Sequence, residues 1–242
     1  MSETVLAAET IEVGVHSEWH VFGLTLHADT ILGTLVAAAV VIGLGLWVRS
    51  RVTSGVPNGP QLFFEGVTKF LRDQVETSIG VRTAPFLVPL SIGLFIFILV
   101  CNWLVILPLH HYLPPPTADV NLVYPLALMV FFWRQVAGAR QHGGFGKQFM
   151  HVAKGHNPAL APMWFLEEIT GVVSHALRLF GNIFAGGVML SLFTLIPFYI
   201  TWLPTAGWKL FDLFIGLVQA FIFAFLTIIY FSQSMEDREE AH

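Results

Sequence analysis

From Thr30 to Val48 the chain contains no Asp, Glu, Lys or Arg, and Arg49 and Arg51 end the run. About 20 apolar residues are enough to cross the hydrocarbon core of a bilayer, and no helix on the surface of a soluble domain is apolar all round. Four further windows read the same way. Thr83–His111 is free of acids and of Lys and Arg, and holds a span at 86–107. Asn121–Trp133 supports a span at 120–133 that lengthens if Arg134 snorkels to the interface. The last two, 169–196 and 210–231, are interrupted mainly by His175, Arg178 and Asn182, and by Asp212 and Gln219. The composition agrees: 55% of the residues are hydrophobic and 12% are charged, against about 25% charged in an ordinary soluble domain. The fold class expected is an all-α integral membrane protein, a single membrane domain of five transmembrane helices.

Basic residues set the orientation, since Lys and Arg concentrate on the cytoplasmic side. Segment 49–82 carries Arg49, Arg51, Lys69, Arg72 and Arg82, and segment 134–168 carries Arg134, Arg140, Lys147 and Lys154. Both loops are therefore expected inside. The opening segment 1–29, with five acids and no Lys or Arg, is expected outside and reads as part of the mature protein. The tail 232–242 follows as cytoplasmic. Within the first basic loop Leu62, Phe63, Val67, Phe70 and Leu71 recur at helical spacing opposite Glu65, Lys69, Arg72 and Asp73. Pro60 suits the start and Gly80 the stop. This predicts an amphipathic helix over 60–79, lying in the membrane interface or docked on a partner.

Arg178 is the most demanding residue. It lies nine residues into a span beginning near Ile169, about 13 Å deep at 1.5 Å per residue. An arginine there costs about 2.5–3.5 kcal/mol on insertion scales, and its guanidinium stays charged. It must face a carboxylate, water or a cavity. One alternative is a structural salt bridge to Asp212 or to a glutamate elsewhere in the bundle; the other is a functional gate. Glu167, Gly171, Ser174, Arg178, Asn182, Ala185 and Met189 fall on one helical stripe, flanked by Gly181, Gly186 and Gly187. Small residues there admit close approach of another helix. On the last span Asp212, Gly216, Gln219, Phe223, Thr227 and Tyr230 form a second stripe. Asp119 and Asn102, with Asp212, mark a wet path from outside. Glu167 and Glu168 mark one from inside, unless they serve only as helix N-terminal charges.

Other chemistries are excluded or unsupported. One cysteine, Cys101, cannot form an intramolecular disulfide or a multi-cysteine metal site. His110 and His111 are adjacent and point in different directions, so no metal is expected. No phosphate loop or nucleophile–base pair is present, and no cofactor is expected. The net charge of −4 argues against nucleic acid as a partner.

The run Ser174-His-Ala-Leu-Arg-Leu-Phe-Gly-Asn-Ile-Phe-Ala-Gly186 resembles the signature of the a-subunit family of F-type ATP synthases. Gln219-Ala-Phe-Ile-Phe-Ala-Phe-Leu-Thr-Ile-Ile-Tyr230, Cys101-Asn-Trp-Leu-Val-Ile-Leu-Pro108, Thr117-Ala-Asp-Val-Asn121 and Gly55-Val-Pro57 also match, in order along nearly the whole chain. The resemblance implies a non-catalytic stator subunit in a bacterial plasma membrane, its last two spans forming a hairpin against a c-ring. Two offset half-channels then pass protons to and from c-ring carboxylates. It implies Arg178 as the ring-facing gate, with Asn182, Gln219 and Ser174 as polar neighbours. It implies Asp119, Asp212 and Asn102 for the outer half-channel and Glu167, Glu168 and His175 for the inner one. The implied partners are c-ring subunits, b and other peripheral-stalk subunits, the remaining ATP synthase subunits and the lipid bilayer. Many bacterial members carry an acid where Gly187 stands and a histidine where Asp212 stands. Competing readings are a self-contained ion channel or transporter, and a purely structural membrane scaffold.

Overall fold

The computed structural model describes residues 18–21, 24–53, 55–104, 116–118, 120–141 and 197–235, with 143, 144, 146, 173, 174, 177, 181, 185, 186, 188, 189, 192, 193 and 195. Arg178, Asn182, His175, Glu167, Glu168, Asp119, the His110–His111 pair, most of the 142–168 loop and the tail from 236 lie outside the described residues.

A short antiparallel hairpin precedes the helices. Strands β1 (Glu18–Val21) and β2 (Leu24–His27) pair Glu18 with His27 and Val21 with Leu24, and β2 runs straight into helix α1 (Ala28–Arg51). At 1.5 Å per residue α1 is about 36 Å long, enough to cross a bilayer core of about 30 Å. Ala37 is buried, while Leu35, Ile42 and Leu46 on the other side are about two-thirds exposed. An outward surface of this kind suits hydrocarbon.

Helix α2 (Gly59–Ser78) begins with Pro60 in its first turn. Gln61 ties the incoming strand to it: its amide group donates to the Thr53 carbonyl at 3.1 Å, and its Oε1 accepts from the Thr53 N–H at 3.2 Å. At the other end the N–H groups of Ile79 and Gly80 both reach the Val75 carbonyl, and Gly80 adopts φ +83°, the left-handed conformation that glycine takes without strain. The helix is amphipathic, and its apolar side is divided. Leu71 and Val75 are buried against the bundle, whereas Leu62, Phe63 and Phe70 stay exposed.

Helices α3 (Leu87–Trp103), α4 (Val120–Gln141) and α5 (Phe198–Met235) form the core with α2. Leu87, Leu94, Ile98 and Leu99 of α3 interlock with Ala220, Phe223, Ala224, Ile228 and Phe231 of α5. Alanines at 220 and 224 let the two backbones come close. Ring contacts fix the directions. Phe86 meets Phe231 at 5.7 Å and Trp133 at 6.3 Å, so the start of α3 and the later turns of α4 sit at the far end of α5. Phe70 meets Phe221 at 5.3 Å, and the Ser232 hydroxyl donates to the Ser78 carbonyl at 2.7 Å. Helix α2 therefore runs beside α5, meeting it at Phe70–Phe221 and Ser78–Ser232, because its buried apolar face finds a partner in α3 and α5.

Two helices outrun their charge-free windows. The 120–133 window sits inside the 22 residues of α4, which continues through Arg134. Arg134 is buried, with its guanidinium carbon 5.2 Å from the Phe131 ring centre and 5.3 Å from that of Tyr230; a cation over aromatic faces is electrostatically favoured. The 210–231 window sits inside the 38 residues of α5, which includes Pro204. Between α4 and α5, the described residues from 173 to 193 are helical.

Candidate functional site

The polar stripe of α5 is where the buried polar groups gather. At its middle, Gly216 touches α3 so closely that a Cβ there would lie 3.0 Å from Asn102 Cβ. The glycine lets the Asn102 amide group donate to the Gly216 carbonyl at 3.0 Å. Asn102 Oδ1 accepts from the Thr117 hydroxyl at 2.9 Å, and the Trp103 indole N–H donates to the Leu213 carbonyl at 3.2 Å. Asn102 thus has both ends of its amide engaged, and its position is that of a clasp between α3, the Pro116–Ala118 turn and α5.

One turn away, Asp212 lies beside Gly186. A Cβ on Gly186 would lie 3.6 Å from Asp212 Oδ2 and 3.7 Å from both Asp212 Oδ1 and Trp208 Nε1. Asp212 Oδ1 and Trp208 Nε1 are buried and have no hydrogen-bond partner among the described residues. One turn the other way, Gln219 is 4% exposed, and its Nε2 has no partner among the described residues either. Lower on the stripe, the Thr227 hydroxyl donates back to the Phe223 carbonyl at 2.9 Å, and Tyr230 lies against Arg134. The stripe is thus sealed toward the far end and open in hydrogen-bonding capacity around Asp212 and Gln219.

Ser174 does not join this cluster. It is exposed, as are Gly181 and Ala185, and a Cβ on Gly181 would meet nothing within 4 Å. These described small residues are open, whereas Gly186 is buried. Of the residues expected from the sequence, Asn102, Asp212 and Gln219 come together along α5.

The profile of the ATP synthase A chain family matches residues 31–232, most of the chain. The chain belongs to that family. Similarity to subunit a proteins extends over full lengths. The ATP synthase subunit a of Mycobacterium marinum is 49% identical, with 100% of both chains covered. That of Acidothermus cellulolyticus is 44% identical over 94% of this chain and 84% of its own length, and that of Gloeobacter violaceus 34% identical over 96% and 94%. Membership makes this chain a non-catalytic, proton-conducting membrane subunit of the Fo sector, part of the ATP synthase complex. Sequence reasoning placed Trp103 and Thr117 only within matching stretches, without a role, and overlooked Trp208. Trp208 stands four residues before Asp212, so the helical period itself carried that signal.

Proposed function

We propose that the chain offers two offset half-channels to a ring of c subunits. Asp119 and Asp212 lead protons in from outside, with Asn102 at that mouth. Glu167, Glu168 and His175 lead them out to the inside. Arg178 is the gate between them, flanked by Asn182, Gln219 and Ser174. The five spans, the last two packed as a hairpin against the ring, place the N-terminus outside a bacterial plasma membrane and the tail in the cytoplasm. Peripheral-stalk b subunits hold the chain still while the ring turns. A protonated carboxylic acid on the ring can face lipid and an ionised one cannot, so rotation follows protonation. Each charge that crosses about 100 mV supplies about 2.3 kcal/mol.

The observation that carries this reading is the pair of buried, unpartnered polar atoms on one face of α5, Asp212 Oδ1 and Gln219 Nε2, among the described residues. Buried polar groups are normally hydrogen-bonded to protein or water, and a wet path supplies what these lack. The exposed small residues Ser174, Gly181 and Ala185 support it, since small residues admit a second helix at close range.

Purified chain alone in liposomes, under a potassium-diffusion potential, is expected to pass no protons above the bare-lipid leak. The complete complex under the same potential is expected to synthesise ATP. Flux through the isolated chain would instead establish a self-contained channel.

A further inference from the structure

We propose that the polar cavity between the ends of α2, α4 and α5 seats a lysine or arginine side chain of the stationary stalk. The inference deepens the mounting part of the reading above and rests on it, but not on the half-channels.

The cavity measures about 490 Å³. Its wall takes in the last turns of three helices: Glu76 to Ser78 of α2, Gln141 of α4, and Ser232 and Met235 of α5. Each helix C-terminus carries about half a negative charge on its free carbonyls. At α2 those carbonyls are left over in an identifiable way. The Gly80 N–H turns back to the Val75 carbonyl at 3.0 Å, and the Val81 N–H goes to Glu76 Oε2 at 2.8 Å. The two N–H groups that would have continued the ladder to the carbonyls of Glu76 and Thr77 are thereby engaged elsewhere. The cause is the left-handed turn at Gly80. Among the described residues, Glu76 is the one charged side chain in the wall, and Arg82 and Arg140 are exposed and take no part in it.

One carboxylate and three sets of helix-end carbonyls make the hollow a place for a cationic donor. A bare metal ion fits poorly. Calcium collects about six to eight oxygens, several of them from carboxylates, and no group of three metal-binding side chains exists among the described residues. The chain's own tail is also a poor match, since residues 236–240 carry four acids against Arg238. A lysine or arginine brings three or five N–H donors on a long stem, which an open hollow of this size can admit. The seat is also firmly built. The Ser232 hydroxyl binds the Ser78 carbonyl across it at 2.7 Å, and Val75, one turn before Ile79, is fully buried. A fixed seat serves a neighbour that stays still, not a ring whose side chains pass in turn.

The test uses complete complexes. A photoreactive p-benzoylphenylalanine in place of exposed Thr77 is expected to cross-link to a stalk subunit, at a peptide that contains Lys or Arg. Glu76→Gln keeps an oxygen to accept from Val81 and removes only the charge. It is expected to speed loss of the stalk from detergent-solubilised complex about threefold at low salt, the scale of a solvent-exposed ion pair. In about 1 M salt, where the Debye length is about 3 Å, variant and wild type should lose the stalk alike. Equal rates at low salt overturn the seat. So does an excess that persists at high salt, which marks a purely structural loss. Cross-links confined to this chain overturn it as well. Cross-linking to ring subunits removes both the seat and the stationary mounting at this face, whereas a firmly attached stalk with no cross-link at 77 removes the seat alone.

Discussion

Complexes carrying Arg178→Ala should synthesise ATP about a hundredfold more slowly than wild type, with the complex still assembled. A fixed cation favours the ionised form of a carboxylate brought beside it by the equivalent of about 1–3 pK units, each unit being about 1.4 kcal/mol. Without that charge, a ring carboxylate arriving protonated has nothing to drive its proton into the exit path. ATP-driven acidification of the liposomes should fall with synthesis, since both directions use the same step. Passive leak should rise, because the arginine's charge also repels a proton that crosses directly from one half-channel to the other. Arg178→Lys should recover part of the coupling, as the charge survives while the planar fork of donors does not. Coupled transport at the wild-type rate in Arg178→Ala would end the gate assignment.

Gly216→Val should weaken the subunit by about 1–3 kcal/mol, the usual cost of forcing atoms into a packed contact. Even the first added carbon would sit 3.0 Å from Asn102 Cβ, and that neighbour is no flexible tip. Asn102 is held by Thr117 on one side and by the Gly216 carbonyl on the other. Helices α3 and α5 must part, and the Asn102 hydrogen bond, worth about 1 kcal/mol, goes with them. The readout is the temperature at which detergent-solubilised complex loses this subunit, which should fall, together with coupled proton transport, because Asp212 and Gln219 ride on the displaced helix. Gly93→Ala is the control: Gly93 is exposed in α3, a Cβ there meets nothing within 4 Å, and alanine is the better helix former. Equal thermal loss in the two variants would show that the close approach at 216 carries no stability.

Much of the helical layout was legible because it depends on which residues lack charge. The 30–48 window lies inside α1, and the amphipathic period at 60–79 falls within a residue of α2 at each end. Where the reading fell short, a local rule met a tertiary answer. Pro204 and Lys209 look like the end of a span, yet α5 runs through both; a helix among helices re-satisfies the carbonyl that a proline leaves free. Arg134 looks like a cap at the interface, but Phe131 and Tyr230 give it a buried seat, and Tyr230 is almost a hundred residues further on. The clasp at Asn102 was hidden for the same reason. Its acceptors are backbone carbonyls of α5, and a carbonyl has no letter in the sequence. The hairpin at 18–27 was also not foreseen; Gly23 between two short apolar runs was its faint sign.

Helix α5 is gripped at two levels. At one, Trp103 and Asn102 hold the carbonyls of residues 213 and 216. At the other, Ser232 and Ser234 bind the carbonyls of Ser78 and Arg134. The two grips are about 24 Å apart along the helix. Between the grips Ala220, Phe223, Ala224, Ile228 and Phe231 pack against α3, so a sideways load on this stretch is shared along its length. Such a load would pass into α3 around residue 216 and into α2 and α4 around residues 232 and 234. Gln219 and Asp212 lie about one turn to either side of the Gly216 grip. Both polar residues of the proposed path are thereby kept within about a turn of a fixed point.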